Sequence, residues 1–534
     1  MDHLKAEIRF WETLHHLIKK EDMKVIHINE EGKIVWLEDD RFKNSNLIRL
    51  HLRSYDWSSQ LRNDINRAHE SAKSIRKKMK MRDANVTNVI FAPFTPVDSY
   101  EDEVSQPLPF TAGGKRQMRS IIIPMENLYE NFFPLATEWK LHDMPSYVPE
   151  YQLEDEEQSE QLCRTLKHMV ERSYHKRREE ERNIFMYGKP TFTLALLIVI
   201  FSIYFFMEQV GSSTSTRTLV SLGAKFDPLI IEGEWWRFFS AMFLHIGFLH
   251  LFMNSLALFY LGSAVERIFG SARFVFIYFT AGFFGSISSF VFNDNISAGA
   301  SGAIFGLFGA LLYFGARNKK LFFRTFGSSV VIILGINLAF GFLVPMVDNG
   351  AHIGGLIGGF AASAIIGLPE RKYLKSQPLA GIGAVLAALI LLLAGFTQNV
   401  ESSQLQTIYY ELGRESIEEN DYEDAESYLV RAVDIEGDES GPVSDEEIQA
   451  NSYFLLSYAQ LQRERYEEAE ENLSTAIELR TDFHEAYYNL AILQYERGNY
   501  EEALEAINSA LEITGESDYE DLRNEIIENA PDNS

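Results

Sequence analysis

Apolar residues are concentrated in the middle of the chain, between about residues 191 and 397, and polar residues dominate on both sides of this region. The region resolves into seven apolar segments, each close to the ~20 residues that a helix needs to cross a bilayer. Their approximate limits are 191–208, 237–262, 272–292, 300–316, 327–346, 351–367 and 379–397. The pattern predicts a polytopic α-helical membrane protein of seven spans, with a membrane domain at residues 181–397 between soluble domains at residues 1–180 and 398–534.

Residues 1–180 alternate between helix-like and strand-like stretches, which indicates an α/β domain. Helical character is found at residues 1–20 and 57–80, and again in a charged stretch at residues 151–182 that leads to the first span. The remaining pattern predicts strands at residues 24–29, 33–37, 88–93 and 119–124, and a flexible loop at residues 99–115. It does not give the order of the strands.

The last part of the chain contains a repeat. The pattern Tyr-Glu-(Glu or Asp)-Ala begins at Tyr422, Tyr466 and Tyr500, and in each copy a second alanine follows the first by seven residues. The last two copies are 34 residues apart, whereas a polar insert at residues 437–447 lengthens the first interval to 44. A 34-residue period with small residues at fixed positions resembles the tetratricopeptide repeat, an α-solenoid whose concave surface binds peptides or partner proteins.

Charge is distributed unevenly between the domains. The whole chain has a formal charge of −27, and the residues from 401 onward contain 36 acidic side chains against seven arginines and no lysine. This acidity argues against nucleic acid as a partner. Lysine and arginine collect before the first span and between the second and third, the fourth and fifth, and the sixth and seventh. The positive-inside rule therefore predicts a cytoplasmic N-terminus, and an odd number of spans predicts an extracytoplasmic C-terminal domain.

Nine of the thirteen histidines lie in the first 180 residues. Scattered surface and core positions are the simpler interpretation, because no two of them have a metal-ligand spacing such as His-x-x-x-His. The alternative is that some of them bind a divalent metal ion together with nearby carboxylates, which would make this domain a sensor. The single cysteine, Cys163, excludes an intramolecular disulfide and a cysteine-rich metal cluster.

Two polar residues begin apolar segments that enter the membrane from the same predicted side. Ser301 lies in Gly-Ala-Ser-Gly at residues 299–302, and His352 lies in Ala-His-Ile-Gly-Gly at residues 351–355. A serine at a helix N-terminus lies beside unpaired N–H groups that suit a developing oxyanion, and a neighbouring imidazole can act as its general base. The glycines in both motifs favour close packing of the two helices. A role in packing alone is the alternative interpretation.

A second polar pair lies in the second apolar segment. His250 and Asn254 are four residues apart, so they share one face of a helix. Polar side chains in a bilayer are costly unless they bind each other or serve a site. Two further motifs are Trp236-Arg237, just before this segment, and Glu266 in Val-Glu-Arg-Ile-Phe-Gly, just after it.

These motifs together resemble the rhomboid family of intramembrane serine proteases, over about residues 191–368. The resemblance implies that Ser301 is the nucleophile and His352 the general base, without a third acidic residue. It implies an oxyanion hole made of the Ser301 backbone N–H and the side chains of His250 and Asn254. It further implies supporting roles for Gly299, Gly302, Trp236, Arg237 and Glu266, for Phe305 as the aromatic ring that packs on the imidazole, and for His245, which lines the cavity or is structural.

The implied activity is that of a bacterial plasma-membrane endopeptidase that needs no cofactor. Its expected substrates are transmembrane helices with small or helix-destabilising residues near the outer interface, since a helical peptide bond must unwind before it is cut. The fifth segment, with Gly335, Gly341 and Pro345, would be the lateral gate. One alternative is a catalytically inactive relative that binds membrane clients. The others are a transporter, which the lack of paired acidic residues at mid-membrane disfavours, and a scaffold that only uses the membrane as an anchor.

Overall fold

The computed structural model describes residues 2–29, 31, 33–42, 46–81, 83–111, 114–344, 346–370, 374–397, 403–435 and 445–530. The chain divides into two compact units. The first contains Met1–Met186 and Lys320–Gly327, and the second contains Tyr187–Lys319 and Ser328–Ser534.

The first unit is built on a six-stranded mixed sheet with strand order β1-β2-β3-β4-β6-β5. Strands β1 to β3 form an antiparallel meander, β3, β4 and β6 run parallel, and the short β5 pairs antiparallel with β6. Its elements, apart from a 3₁₀ turn at Glu150–Leu153, are α1 (Asp2–Lys19), β1 (Lys24–Asn29), β2 (Ile34–Asp39), β3 (Asn46–Leu52), α2 (Ser58–Lys78), β4 (Val86–Ala92), α3 (Glu101–Ser105), β5 (Leu108–Pro109), β6 (Gln117–Pro124), α4 (Leu128–Glu138) and α5 (Glu156–Phe185).

Two apolar clusters cover the two faces of this sheet. Val89 and Phe91 of β4 pack with α1, α4 and α5 on one face, whereas Val86 and Ile90 pack with α2 on the other, as the two-residue period of a strand requires. The predicted loop at residues 99–115 is wrong in part, because it contains α3 and the edge strand β5. These elements are so short that their local pattern is that of a loop.

The second unit begins with the apolar helices. In chain order the elements from here to the end of the apolar region are α6 (Thr191–Val210), α7 (Thr216–Ser221), α8 (Asp227–Ile231), α9 (Arg237–Ser240), α10 (Gly247–Ala257), α11 (Ser263–Phe269), α12 (Ser271–Phe292), α13 (Ser301–Arg317), α14 (Lys319–Thr325), α15 (Gly327–Leu343), α16 (Asn349–Ile366) and α17 (Gln377–Thr397). Helices α10 and α11 are joined by a π-helical turn at Leu258–Gly262 into one helix.

Within the described residues, five helices are long and apolar enough to cross a membrane: α6, the helix Gly247–Phe269, α12, α16 and α17. Helices α14 and α15 pass the same test only together, with a bend of 76° between them, and α13 is a shorter apolar helix. Length and composition therefore support five spans, or six if the bent pair is counted as one, and the predicted seven spans are not confirmed. Of the lateral-gate residues, Pro345 lies outside the described residues.

The second predicted segment, 237–262, is wrong in its bounds. The spanning helix begins at Gly247, and the residues before it form the short helix α9, a 3₁₀ turn and an extended stretch. Gly247 has a φ of 73°, which favours glycine and turns the chain into the helix. Hydropathy does not reveal this break, because the residues on both sides of it are apolar.

The described residues after α17 form seven helices: α18 (Ser403–Glu418), α19 (Tyr422–Val433), α20 (Asp445–Gln462), α21 (Tyr466–Leu479), α22 (His484–Glu496), α23 (Tyr500–Ile513) and α24 (Ser517–Asn529). The two alanines of each sequence repeat are fully buried where the helices of a pair meet. Larger side chains there would separate the helices, which explains the repeat. Most of the predicted polar insert at residues 437–447 lies outside the described residues.

The first helix pair of this array is docked on the segment between α6 and α10. Val220 and Phe226 share an apolar cluster with Leu405, Tyr409 and Leu412. The carboxylate of Glu415 accepts hydrogen bonds from the Ser215 hydroxyl and the Arg217 backbone N–H, both at 2.8 Å, at the N-terminus of α7. The Arg217 guanidinium forms ion pairs with three carboxylates of the array, those of Glu419, Asp421 and Asp424.

Candidate active site

Ser301 is the first residue of α13, where backbone N–H groups have no partner within the helix. The preceding loop brings it there through Gly299, whose φ of 146° is rare for other residues. The loop is held in two places. The Gly299 N–H donates to the Ala241 carbonyl at 2.8 Å, and Ser297 pairs with Lys225 in an antiparallel bridge.

Helices α13 and α16 meet backbone to backbone at the ends that carry Ser301 and His352. A Cβ on Gly302 would lie 3.3 Å from the carbonyl oxygen of Ala351, and a Cβ on Gly355 would overlap the carbonyl oxygen of Gly302. Since Ser301 precedes Gly302 and His352 follows Ala351, the structure brings the two residues together on adjoining first turns.

The imidazole of His352 is almost fully buried, at 9% exposure, and is stacked on the ring of Phe305. The two ring centroids are 4.0 Å apart and the planes differ by 12°. Its Nδ1 atom is buried and has no hydrogen-bond partner among the described residues. The ring is therefore held by stacking, which fixes its plane without using its nitrogens.

The side chains of His250 and Asn254 lie beside the Gly299 backbone. A Cβ on Gly299 would be 2.9 Å from His250 Nε2 and 3.9 Å from Asn254 Nδ2, so only glycine permits this approach. The ring of His245 lies 5.3 Å from that of His250, and its Nε2 accepts a long hydrogen bond, 3.5 Å, from the Ala300 backbone N–H. Both polar side chains therefore lie next to the loop that leads into Ser301.

A small cavity adjoins the serine. Its lining includes Ser301, Gly299, Ser286, Ser297 and Lys225, and the centre of a water molecule has about 20 Å³ of room in it. That volume is sufficient for one water molecule, and the hydroxyl groups around it supply the partners that a buried water needs.

Two other motif residues hold backbone segments rather than face Ser301. The guanidinium of Arg237 is 3% exposed and donates to the carbonyls of Val220 and Ala224 at 2.7 and 3.0 Å, with the half-exposed Trp236 ring 4.8 Å away. The buried carboxylate of Glu266 accepts hydrogen bonds of 2.9 and 2.8 Å from the backbone N–H groups of Phe192 and Thr193. It therefore ties the start of α6 to the end of α11.

Sequence reasoning missed the group that fixes the start of the His352 helix. One oxygen of Asp348 accepts a hydrogen bond from the Ala351 N–H at 2.8 Å, and the other accepts one from the Ser289 hydroxyl at 2.5 Å. An aspartate three residues before the first apolar residues of a helix is a recognisable N-cap signal. Its bond to Ser289 of α12 has no such signal, because the two residues are far apart in the chain.

The structure gives the metal hypothesis no candidate ligand set. Among the described residues, no group of three or more histidine, cysteine, aspartate or glutamate side chains is placed to hold a metal ion. A divalent metal in the N-terminal domain stays an untested prediction.

Comparison with known proteins adds independent findings. Residues 232–369 match the Rhomboid domain, and residues 406–439 and 460–526 match tetratricopeptide repeats. The chain is 33% identical over 487 residues to "Rhomboid protease GluP" of Bacillus subtilis (strain 168), an alignment that covers 90% of each chain. It is 34% identical over 191 residues to "Putative rhomboid protease YdcA" of the same strain, covering 35% of this chain and 94% of the relative. It is 41% identical over 177 residues to "RHOMBOID-like protein 6, mitochondrial" of Arabidopsis thaliana, covering 32% of this chain and 57% of the relative.

Proposed function

Because this chain belongs to the rhomboid protease family, we propose that it is an intramembrane serine endopeptidase with Ser301 as nucleophile and His352 as general base. The observation that carries this assignment is the backbone contact between α13 and α16 at Gly302 and Gly355. It puts a hydroxyl at a helix N-terminus and a buried imidazole on adjoining turns.

The reaction proceeds in two halves. The Ser301 oxygen attacks the carbonyl carbon of the scissile peptide bond while His352 takes the hydroxyl proton, and the carbonyl oxygen becomes an oxyanion. His352 then gives the proton to the leaving amine, the C–N bond breaks and an acyl ester of Ser301 remains. A water molecule, deprotonated by His352, attacks the ester, which releases the carboxylate product and restores the serine.

The oxyanion is bound by the Ser301 backbone N–H and by the side chains of His250 and Asn254. The contact of both side chains with Gly299 supports this role, because donors that are already in position need no rearrangement as charge develops. The cavity beside Ser301, with Ser286 and Ser297, supplies the hydrolytic water. His352 needs no carboxylate partner on Nδ1, since Phe305 fixes the plane of the ring. No cofactor takes part.

The substrates are transmembrane helices of other membrane proteins, cut near the outer interface of a bacterial plasma membrane. In this topology α13 and α15 complete seven spans, the first unit and α14 are cytoplasmic, and the helical repeats are extracytoplasmic. The asymmetry of lysine and arginine between the two sets of loops supports this orientation. The fifth segment, residues 327–346, which contains α15, is the lateral gate, and the repeats bind peptides or protein partners.

The test compares the wild type with Ser301→Ala and His352→Ala in liposomes, using a single-span substrate labelled at both ends. We expect each variant to lose at least about 10³-fold in cleavage rate, as members of such a unit do. Ser255→Ala, which removes another buried serine hydroxyl of the bundle, should retain activity. A fluorophosphonate should label the wild type and not Ser301→Ala. Cleavage by Ser301→Ala at the wild-type rate would contradict the proposal, and failure of the probe to label the wild type would favour an inactive client-binding relative.

A further inference from the structure

The first unit contains a second cavity, of about 410 Å³, that has no part in the proposed proteolysis. It lies between the sheet and α2. Trp36 and Ile34 of β2 are paired directly with Arg49 and His51 of β3, so the four side chains share one face of the sheet. Residues 64, 67, 68 and 71 form the facing stripe of α2. A volume of this size is within the range of small-molecule sites.

A buried polar network forms the floor of this cavity. The guanidinium of Arg49 donates to both carboxylate oxygens of Asp64, at 2.9 and 3.1 Å, and to the side-chain oxygen of Asn88 at 2.8 Å. His51 Nδ1 lies 3.2 Å from the Asp64 carboxylate. Each of these four residues is at least nine-tenths buried. Burying polar groups costs free energy, so packing alone would favour apolar residues on this face of the sheet.

The charges of this network, those of Arg49 and Asp64, are paired with each other. Burial alone would raise the pKa of Asp64, but the hydrogen bonds from His51 and Arg49 outweigh it and hold that pKa well below its usual range, so the carboxylate stays ionised. Burial lowers the pKa of His51, which keeps its imidazole uncharged near neutral pH. Arg49 is therefore neutralised by Asp64, and neither group is available to a ligand as a free charge.

Two other arginines at the cavity keep their charge unpaired. Arg53, at the end of β3, and Arg67 of α2 are exposed, and within the described residues neither guanidinium has an ion-pair or hydrogen-bond partner. Arg53 instead lies 5.4 Å over the ring of Tyr55, which steadies it at the mouth. Lys33 also lines the cavity but is paired with Glu7 at 2.5 Å, and the remaining acidic residue, Glu31, is an exposed residue of the rim.

We propose that this cavity binds a small organic molecule carrying a phosphate group. Arg53 and Arg67 bind the phosphate, because a guanidinium pairs with phosphate oxygens through two parallel hydrogen bonds. The apolar part of the ligand lies against Ile34 and Trp36. A metal ion is a poor occupant, since both carboxylate oxygens of Asp64 already accept hydrogen bonds from Arg49.

The test uses the full-length protein in detergent and isothermal titration with three probes: adenosine monophosphate, inorganic phosphate and adenosine. We expect the monophosphate to bind, adenosine not to bind, and inorganic phosphate to bind more weakly. Arg53→Ala and Arg67→Ala should each weaken binding of the monophosphate by about tenfold or more, the loss expected for one charge-assisted hydrogen bond. Both side chains are exposed, so the variants should melt at the wild-type temperature.

The matched control is Arg62→Ala, on the same helix. Arg62 is exposed and paired with Glu103, and it does not line the cavity, so this variant should bind like the wild type. No binding of any of the three probes would overturn the proposal, as would binding that survives the loss of both Arg53 and Arg67. Equal affinity for inorganic phosphate and the monophosphate would overturn the role given to the apolar wall. Titration does not require proteolysis, so its outcome is separate from that of the protease test.

Discussion

Asp348 shows how one carboxylate can govern the geometry of the helix that carries His352. It caps the first turn of α16 through the Ala351 N–H and joins that turn to α12 through Ser289. The backbone N–H of His352 also donates to the Asp348 carbonyl, at 3.1 Å. The direction in which the imidazole leaves the helix therefore depends on a residue that does not take part in the chemistry.

We expect Asp348→Ala to lower kcat about tenfold with little change in KM, and to destabilise the fold by about 1 kcal/mol, a typical loss for an N-cap. Asp348→Asn keeps an oxygen for the Ala351 N–H and should restore most of both quantities. Initial rates at several substrate concentrations and thermal unfolding measure them. If the asparagine variant is as slow as the alanine variant, the negative charge matters and the cap does not.

At this scale the sequence offers candidates for the proposed reacting groups but not for the groups that hold them. Ser301, His352, His250 and Asn254 can be predicted because their chemistry is carried by short motifs. Ser289 and Lys225 cannot, because their partners are distant in the chain and are brought near only by the fold.

The contact between α13 and α16 depends on glycines in two successive turns of each helix. The Cβ of any other residue at Gly355 or Gly359 would overlap a backbone carbonyl of the facing helix, at Gly302 or Gly306. Backbone cannot move aside as a flexible side chain can. The two helices consequently have one closest approach, and that approach fixes the separation of the serine and the histidine.

Gly355→Ala is expected to separate these helices, to cost about 1–3 kcal/mol of stability and to abolish cleavage. Gly381→Ala in α17 is the matched control, because nothing lies within 4 Å of the position of its Cβ. Alanine there should be neutral or slightly stabilising, since it restricts the unfolded chain. Thermal unfolding and cleavage rates of the two variants measure these effects. Wild-type activity in Gly355→Ala would show that the contact is not required.

Among the elements, hydropathy predicts which segments are apolar but not where a helix starts. The residues before Gly247 are as apolar as the helix that follows, so the break is marked only by one glycine with positive φ. In the first unit the pattern does not predict β3, because it includes Arg49 and His51, which a buried strand tolerates only when the fold supplies Asp64 and Asn88.

Over the second unit as a whole, the repeat array is attached to the apolar bundle by more than its covalent link. The Glu415 cap on α7 and the ion pairs of Arg217 join the first helix pair to the segment that also carries Lys225 and Arg237. The repeats can be predicted from their period alone. Their docking cannot, since it depends on single residues about 200 positions apart.

Arg217→Ala should loosen this docking. Because one guanidinium pairs with three carboxylates, we expect amide hydrogen exchange in residues 405–433 to rise by about tenfold, although single exposed ion pairs contribute little. High salt should produce part of the same effect in the wild type. Arg414→Ala is the control, since among the described residues Arg414 pairs only with Glu411 and Glu418 of its own helix. Unchanged exchange in Arg217→Ala would mean that the apolar cluster holds the array by itself.

The π-helical turn at Leu258–Gly262 sets the rotational phase of the helix Gly247–Phe269. Such a turn holds one residue more than an α-helical turn, and each residue advances a helix by about 100°. The two halves of the helix can therefore be phased separately, with His250 and Asn254 facing Gly299 and Glu266 facing the start of α6. If the same residues formed a regular α-helix instead, the second half would be rotated by about 100° away from its anchor. The π-helical turn thus sets the direction of the His250 and Asn254 side chains independently of the direction of Glu266, although all three belong to one continuous helix.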